Sequence, residues 1–325
     1  MVKINEGGYG CIYYPSLTCN LNKSKKKKLI SKIQINNRNA KNELEIGKIL
    51  KKEKIKGLRG IKSSCIIKKN NSIKKLKNCS IIAENENLNI LKMDLEYIES
   101  YELDKYINSK NLINSYKNCI NNLKKLNNLE ICHFDIKNNN IIYDKNSKNL
   151  VIIDFGLSIN MKKLKGNNYK DYFFVYDNYE PWCIDIIFLN YVINMKRIIT
   201  NKKEVEEIVK TYMNISFFYK CSTNFKNLYY NECLKYLTKY INKSIPYIKR
   251  EIIKNWKTWD IYSLSIMFID FYKLHNCKSK KLIELLFQSI HPNPNKRLNY
   301  DEILNKIKKL NKIKKLNKIK NQKLY

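Results

Sequence analysis

The chain reads as an α+β protein, with a small β-rich N-terminal part followed by a larger helical part. Three observations carry that reading. Up to residue 98 the apolar segments are short and strand-like, with one helix among them. From about residue 99 the apolar positions recur every three or four residues, as on one face of a helix. Finally, 325 residues and 38.9 kDa suffice for two modest lobes or one large domain, each with a real core.

In chain order, "CIYYPSL" (11–17) and "KLISKIQI" (28–35) read as strands flanking the basic turn "NLNKSKKKK". "NELEIGKILKK" (42–52) has helical periodicity, with Glu43, Glu45, Ile46 and Leu50 on adjacent turns. "SCIIKK" (64–69) and "LNILKMDLEYI" (88–98) complete a small sheet. In residues 111–129, Leu112, Tyr116, Cys119, Ile120, Leu123 and Leu126 mark a long amphipathic helix. Residues 186–255 read as mostly helical without recognisable chemistry, and "TWDIYSLSIMFIDFYKL" (258–274) is apolar enough for a buried helix. The end, 305–325, carries the hexapeptide repeat "NKIKKLNKIKKLNKIK". Its apolar residues fall at every third position, a stripe that drifts around a 3.6-residue helix, so a solvated basic low-complexity tail is expected.

Composition narrows the function classes. No apolar stretch approaches the roughly 20 residues of a spanning helix, so no membrane span is expected. "MVKINEGGYG" lacks the apolar core of a signal peptide, which points to a reducing compartment, and the ten cysteines, none in a C-x-x-C pair, read as core thiols. The net charge of +34 invites weak association with polyanions or nucleic acid through the basic surface and tail. Yet the lysines are scattered along the whole chain, and a composition dominated by Lys, Asn, Ile and Tyr is what AT-only codons produce.

The chemistry is concentrated in "HFDIKNNN" (133–140) and "VIIDFG" (151–156). Asp135 and Asn140 have the spacing of a phosphotransfer loop, in which one aspartate orients the acceptor hydroxyl and an asparagine five residues later helps hold a magnesium ion. Lys137 lies where it would neutralise charge moving onto the acceptor oxygen, and Asp154 follows a strand that would present its carboxylate to Mg2+. His133 reads as a structural hydrogen-bonder.

With these motifs in order, the chain resembles the eukaryotic-type protein kinase superfamily over nearly its whole length. The resemblance implies a bilobal protein-kinase fold: a small β-rich N-lobe (1–98), a larger helical C-lobe (99–304) containing a helical insertion (186–255), and the tail 305–325. "NEGGYGCIY" resembles the glycine-rich phosphate loop, with Asn5 at the usual first glycine position, Gly7 and Gly10 at the second and third, and Gly8 and Ile12 beside them. "LISK" resembles V-A-I-K, making Lys32 the contact to the α- and β-phosphates of ATP. It is expected to touch phosphates and not the core, so its loss should spare folding. Glu43 would be its ion-pair partner, with Glu45 as the alternative. "LEYIESYEL" resembles the hinge that reads adenine through backbone groups, with Leu95 guarding the back pocket and Glu96 and Ile98 following. "WDIYSLS" resembles the central buried helix with Asp260, and "HPNPNKRLNYDEIL" the late segment with Arg297, whose partner would be Asp185 or Glu180.

Phe134 stands where many kinases have the arginine that answers a loop phosphate, and 157–182 contains no threonine, only Ser158, Tyr169, Tyr172, Tyr176 and Tyr179. Activity without activation-loop phosphorylation is therefore expected. The start of the chain, "YEPWCIDI" and the long insertion are similar to serine/threonine kinases of large nucleocytoplasmic DNA viruses, a likeness that would place the enzyme in infected-cell cytoplasm or in the virion. The expectation is a monomeric serine/threonine kinase acting on protein hydroxyls with ATP and Mg2+. The rivals are a pseudokinase scaffold, a small-molecule phosphotransferase and a nucleic-acid-binding protein. For the last, no groove-fitting or aromatic-lined element is found.

Overall fold

Five strands pair antiparallel at the N-terminal end of the chain: β1 (Val2–Gly7), β2 (Gly10–Tyr14), β3 (Leu29–Ile35), β4 (Ile61–Ile67) and β5 (Ile90–Glu96), in the spatial order β1-β2-β3-β5-β4. The computed structural model describes residues 2–7, 10–22, 28–67, 76, 78–84, 89–164, 168–173, 179–180 and 182–310. Gly8, Tyr176 and the tail beyond 310 lie outside these. The chain is mixed α+β, and it divides into two units: 1–101 with 140–158, and 102–139 with 159–325. The change of periodicity near 98 thus falls three residues before the division at 101, and 140–158 groups with the first unit instead of with the helical part.

Both faces of the five-stranded sheet are covered, and period two decides which residue meets which cover. Ile30, Leu91, Met93 and Leu95 pack with Ala40 of α1 (Arg38–Glu53) on one face. Cys11, Tyr13, Ile33, Ile67 and Ile90 pack with Leu76, Cys79 and Ile82 on the other, where α2 (Ser80–Ala83) lies. Asn37 caps α1 by accepting from the Ala40 amide (3.0 Å), and Ala40, Glu43, Ile46, Gly47 and Leu50 form its buried stripe. Gly47 permits close docking on β4, since a Cβ there would sit 2.4 Å from the Ile61 side chain. Gly10 is required by the sheet itself, because its Cβ would fall 2.2 Å from the Ile33 carbonyl oxygen.

Three features of this unit differ from the sequence expectation. β1 has no counterpart there: an edge strand with both faces largely exposed carries no apolar alternation. A buried polar cluster fills one face of β5, where Lys92 pairs with Asp94 (2.6 Å), which also accepts from Ser31 (2.8 Å) and Ser63 (2.6 Å). The expectation of ten thiols is corrected for four residues, because Cys11–Cys79 and Cys19–Cys65 are disulfide-bonded. Cys119, Cys132, Cys183 and Cys233 are free and buried, and Cys221 and Cys277 are free and half-buried. Glu6 lies beside the first disulfide, but sulfurs committed to each other hold no metal.

Next come β6 (Ser100–Glu102), α3 (Leu103–Tyr106), α4 (Leu112–Asn128) and β7 (Ile131–Cys132). The hairpin β8 (Ile141–Asp144) and β9 (Asn149–Ile152) belongs to the first unit: Ile152 bridges Leu58, and its amide donates to the Gly57 carbonyl (2.9 Å). β10 (Ile159–Asn160) pairs with β7 in the second.

The second unit is helical: α5 (Ile184–Met195), α6 (Lys202–Tyr212), α7 (Ser216–Tyr219), α8 (Thr223–Leu237), α9 (Ile245–Ile253), α10 (Trp259–Leu274), α11 (Lys280–Ser289) and a last helix over 300–310. α10 is buried nearly all round, as its apolar run predicts, and α4 and α11 pack on it. The helices within 186–255 are part of this core. Tyr212 of α6 and Tyr229 of α8 bond hydroxyl to hydroxyl with Tyr262 of α10, and Tyr229 also donates to the Ile290 carbonyl (3.1 Å). Ile307 and Leu310 are buried, so the tail expected to be solvated from 305 is packed at least to 310. Among the described residues no helix is long and apolar enough to cross a membrane.

Candidate functional site

In the first unit, β3 and α1 converge on one ammonium group. Lys32, with Ile30 and Gln34 on the α1 face of β3, donates to both carboxylate oxygens of Glu43 (2.8 and 2.7 Å) and to Asp154 Oδ1 (3.1 Å). The Gln34 amide also donates to Glu43 (3.0 Å). Burial opposes charge on Lys32, but Glu43 and Asp154 outweigh it and raise its pKa to about 12. Burial pushes the Glu43 carboxyl above the usual range against the pull of Lys32. The choice between Glu43 and Glu45 is thereby settled for Glu43, which lies on the buried stripe of α1. The expectation that Lys32 avoids the core is corrected: it is 8% exposed and tied to a carboxylate 5% exposed.

Asn140 and Asp154 are brought to one end of the β8–β9 hairpin. Ile141 pairs with Ile152, and the Ile153 amide donates to the Asn140 carbonyl (2.9 Å). Asp154 sits at φ 65°, a left-handed conformation that costs a non-glycine residue on the order of 1–3 kcal/mol and is often found where a functional group is held in place. Its side chain is 33% exposed, whereas the Lys32 side chain bonded to it is 10% exposed. The Asn42 amide, which no sequence motif marks, donates to the carbonyls of Phe155 (3.3 Å), Gly156 (3.1 Å) and Ser158 (2.7 Å) and fixes the strand exit.

The glycine-rich segment is a β hairpin in which Gly7 pairs with Gly10, Asn5 with Ile12, and Ile12 in turn with Lys32. At the hinge-like stretch, Leu95 is buried between Ile30 and Ile61, while Glu96 is exposed and ion-paired with Lys62 (3.0 Å). Arg59 donates to the Glu96 carbonyl, and Ile98 is half-buried.

In the second unit, residues 133–137 hang from Asp260. Its carboxylate accepts the amides of His133 (2.7 Å) and Phe134 (2.9 Å), and His133 Nδ1 accepts the amide of Asp135 (3.3 Å). Burial raises the Asp260 pKa, with His133 and the two amides pulling the other way. Phe134, at φ 68°, is buried against Trp182, Phe173 and Trp259, which leaves no cation at that position for a phosphate. Asp135 is 4% exposed and pairs with Lys137 (3.0 Å). Tyr179 completes this cluster: its hydroxyl donates to Asp135 Oδ1 (2.5 Å) and accepts from Lys137 (3.3 Å). The sequence marks Tyr179 only as a loop tyrosine, because nothing in its neighbourhood signals that it reaches residue 135.

Arg297 and Asp185 form a two-armed pair with fully buried side chains (2.6 and 3.4 Å), and the Trp259 indole donates to the same carboxylate (2.8 Å). Of the two partners open in the sequence, Asp185 is the one used, while Glu180 accepts from Ser216 (2.6 Å). No protein-family model matches the chain.

Proposed function

We propose that the chain is an ATP-dependent protein kinase transferring the γ-phosphate to serine or threonine hydroxyls, with a bilobal kinase fold. The observation that carries this reading is the convergence of Lys32, Glu43 and Asp154, three residues distant in sequence and singled out by separate motifs, on one ammonium group. In this reading the first unit supplies the nucleotide-holding residues. Lys32 would contact the α- and β-phosphates, Asn5, Gly7, Gly10 and Ile12 of β1 and β2 would cover them together with Gly8 of the same sequence segment, and Leu95, Glu96 and Ile98 would meet the base. Asp154 and Asn140, whose backbones meet at one end of a hairpin, are of the residue types that hold Mg2+ and would hold it here, where the ion would offset phosphate charge. The second unit supplies Asp135, which would orient the acceptor hydroxyl and take its proton, and Lys137, which would balance charge at the acceptor oxygen.

The test is a labelled-ATP transfer assay on basic and acidic protein substrates, run beside a thermal shift with Mg-ATP. Asp135→Asn should lower kcat by ~10²-fold or more with nucleotide binding retained, and Asp154→Asn should weaken nucleotide binding as well. Stabilisation by Mg-ATP without transfer would make the chain a nucleotide-binding scaffold. Absence of both would overturn the reading.

A further inference from the structure

We propose that the first unit, once its Cys11–Cys79 disulfide is reduced, binds one zinc ion through Cys11, Cys79 and Glu6. The inference needs nothing from the kinase reading, and every residue it uses lies within 1–101. Among the described residues, these three form the one group of ligand-type side chains whose ligand atoms all lie within 4.8 Å of one another. A tetrahedral zinc with sulfur at about 2.3 Å and carboxylate oxygen at about 2.0 Å spaces such atoms roughly 3.5–3.8 Å apart. Small χ1 rotations of two cysteines whose Cα atoms are 6.0 Å apart would open the sulfurs to that spacing. Two thiolates select a borderline or soft ion over magnesium or calcium. Charge also closes: two thiolates and a carboxylate exceed the zinc charge by one, and the Lys3 ammonium paired with Glu6 cancels the remainder.

The ligands are kept together by bonds that do not involve sulfur. Glu6 accepts from the Ser80 amide (2.8 Å) and hydroxyl (2.5 Å), and Lys3 donates to the Asn78 carbonyl as well as to Glu6. The Tyr13 hydroxyl donates to the Asn78 side chain (2.9 Å). Both neighbours of Cys79 are thus tied to β1 and β2, and Cys11 is held in β2 between Glu6 and Ile33. The Ser80 and Lys3 contacts are the outer partners that orient a ligating carboxylate. Cys11 and Cys79 are fully buried in one cluster with Tyr13, Leu76 and Ile82, whereas the Glu6 side chain is 26% exposed. The ion would therefore be closed on the sulfur side and take water as its fourth ligand beside Glu6. Cys19 and Cys65 have no such third ligand among the described residues. In the exchange, a dithiol reductant gives two electrons and two protons to the Cys11–Cys79 bond and leaves as its own disulfide. The two new thiols release their protons to solvent as the Zn–S bonds form, so one cross-link between β2 and Cys79 replaces another.

The experiment reduces the full-length protein anaerobically with a phosphine, which becomes its oxide and leaves no thiol to compete for metal. The protein is then titrated with zinc chloride against a chromophoric chelator, and with Co2+ as a spectroscopic stand-in. The expected result is one Zn2+ per chain in the reduced protein and none in the oxidised protein. Co2+ should give a thiolate-to-metal charge-transfer band together with the visible bands of a tetrahedral site. Cys19→Ser/Cys65→Ser should keep both the stoichiometry and the band, and Cys11→Ser/Cys79→Ser should lose both. Glu6→Gln should keep the band and weaken zinc about tenfold or more, since even an outer partner of a metal ligand is worth that much. Zinc should also raise the melting temperature of the reduced wild type. The comparison of reduced with oxidised wild type stands even where a variant fails to fold. No uptake by the reduced wild type, equal uptake by the oxidised form, uptake that follows Cys19 and Cys65 instead, or an affinity unmoved by Glu6→Gln would overturn the proposal.

Discussion

Replacing Lys32 by methionine keeps the length of the stem and deletes the charge shared by Glu43 and Asp154. Asp154, a third exposed, can be rehydrated, but Glu43 cannot. It would keep only the Gln34 amide as a hydrogen-bond donor among the contacts described above. Removing one partner of a buried ion pair costs about 3–5 kcal/mol, a large share of the 5–15 kcal/mol that typically holds a domain folded. The sign of the pH dependence follows from the two shifts. Lys32, raised to about 12, contributes stability that is complete below its unfolded value near 10.5 and lost only as pH rises through about 12. Glu43, already pushed up by burial, rises further without Lys32, so the folded variant holds a proton that the unfolded chain releases above about pH 4.3. Stability of the variant therefore falls as pH rises, and its deficit against wild type should be larger near pH 8 than near pH 5. Urea denaturation at both pH values measures this, with Lys32→Met/Glu43→Met as the control that removes the stranded carboxylate and should recover much of the loss. A Lys32→Met deficit below about 1 kcal/mol, or one equal at both pH values, would refute the reasoning.

Arg297→Ala strands Asp185, whose side chain is fully buried, and should cost about 3–5 kcal/mol in denaturant titration, with Arg297→Lys intermediate because one ammonium cannot reproduce a two-armed contact. A chain ending at Leu304 loses the buried Ile307 and Leu310, worth roughly 1.5–3 kcal/mol each, so its melting temperature should drop clearly by calorimetry. An unchanged melting temperature would restore the picture of a solvated tail from 305. Reducing Cys11–Cys79 opens a loop between residues 68 apart and should cost the first unit about 2–5 kcal/mol, read as a lower urea midpoint with dithiothreitol and reproduced by Cys11→Ala/Cys79→Ala without it.

Elements with a strong local period were legible in the sequence. α4 and α10 appear where their apolar spacing places them, and β3 and β5 within a residue or two of the segments read as strands. β1 was not, because an exposed edge strand needs no apolar alternation. The boundary of the tail was misplaced for the opposite reason. A repeat with period three makes a poor continuous face, yet the helix over 300–310 needs only Ile303, Ile307 and Leu310 to pack.

What the sequence determined by itself was the list of candidate residues: one lysine, a few aspartates and one asparagine, each singled out by a few residues of local chain. What only tertiary structure decided was partnership. Glu43 over Glu45 and Asp185 over Glu180, the pairing of Cys11 with Cys79 and Cys19 with Cys65, the Lys92–Asp94 pair with its two serines, and the placing of Tyr179 on Asp135 all join residues whose separation along the chain carries no signal of contact. Local sequence sets backbone conformation through sterics and periodicity. Which charge or thiol meets which depends on how helices and strands pack across the chain, and there a step of two residues, about 200° around α1, separates the buried stripe that carries Glu43 from the more open flank that carries Glu45.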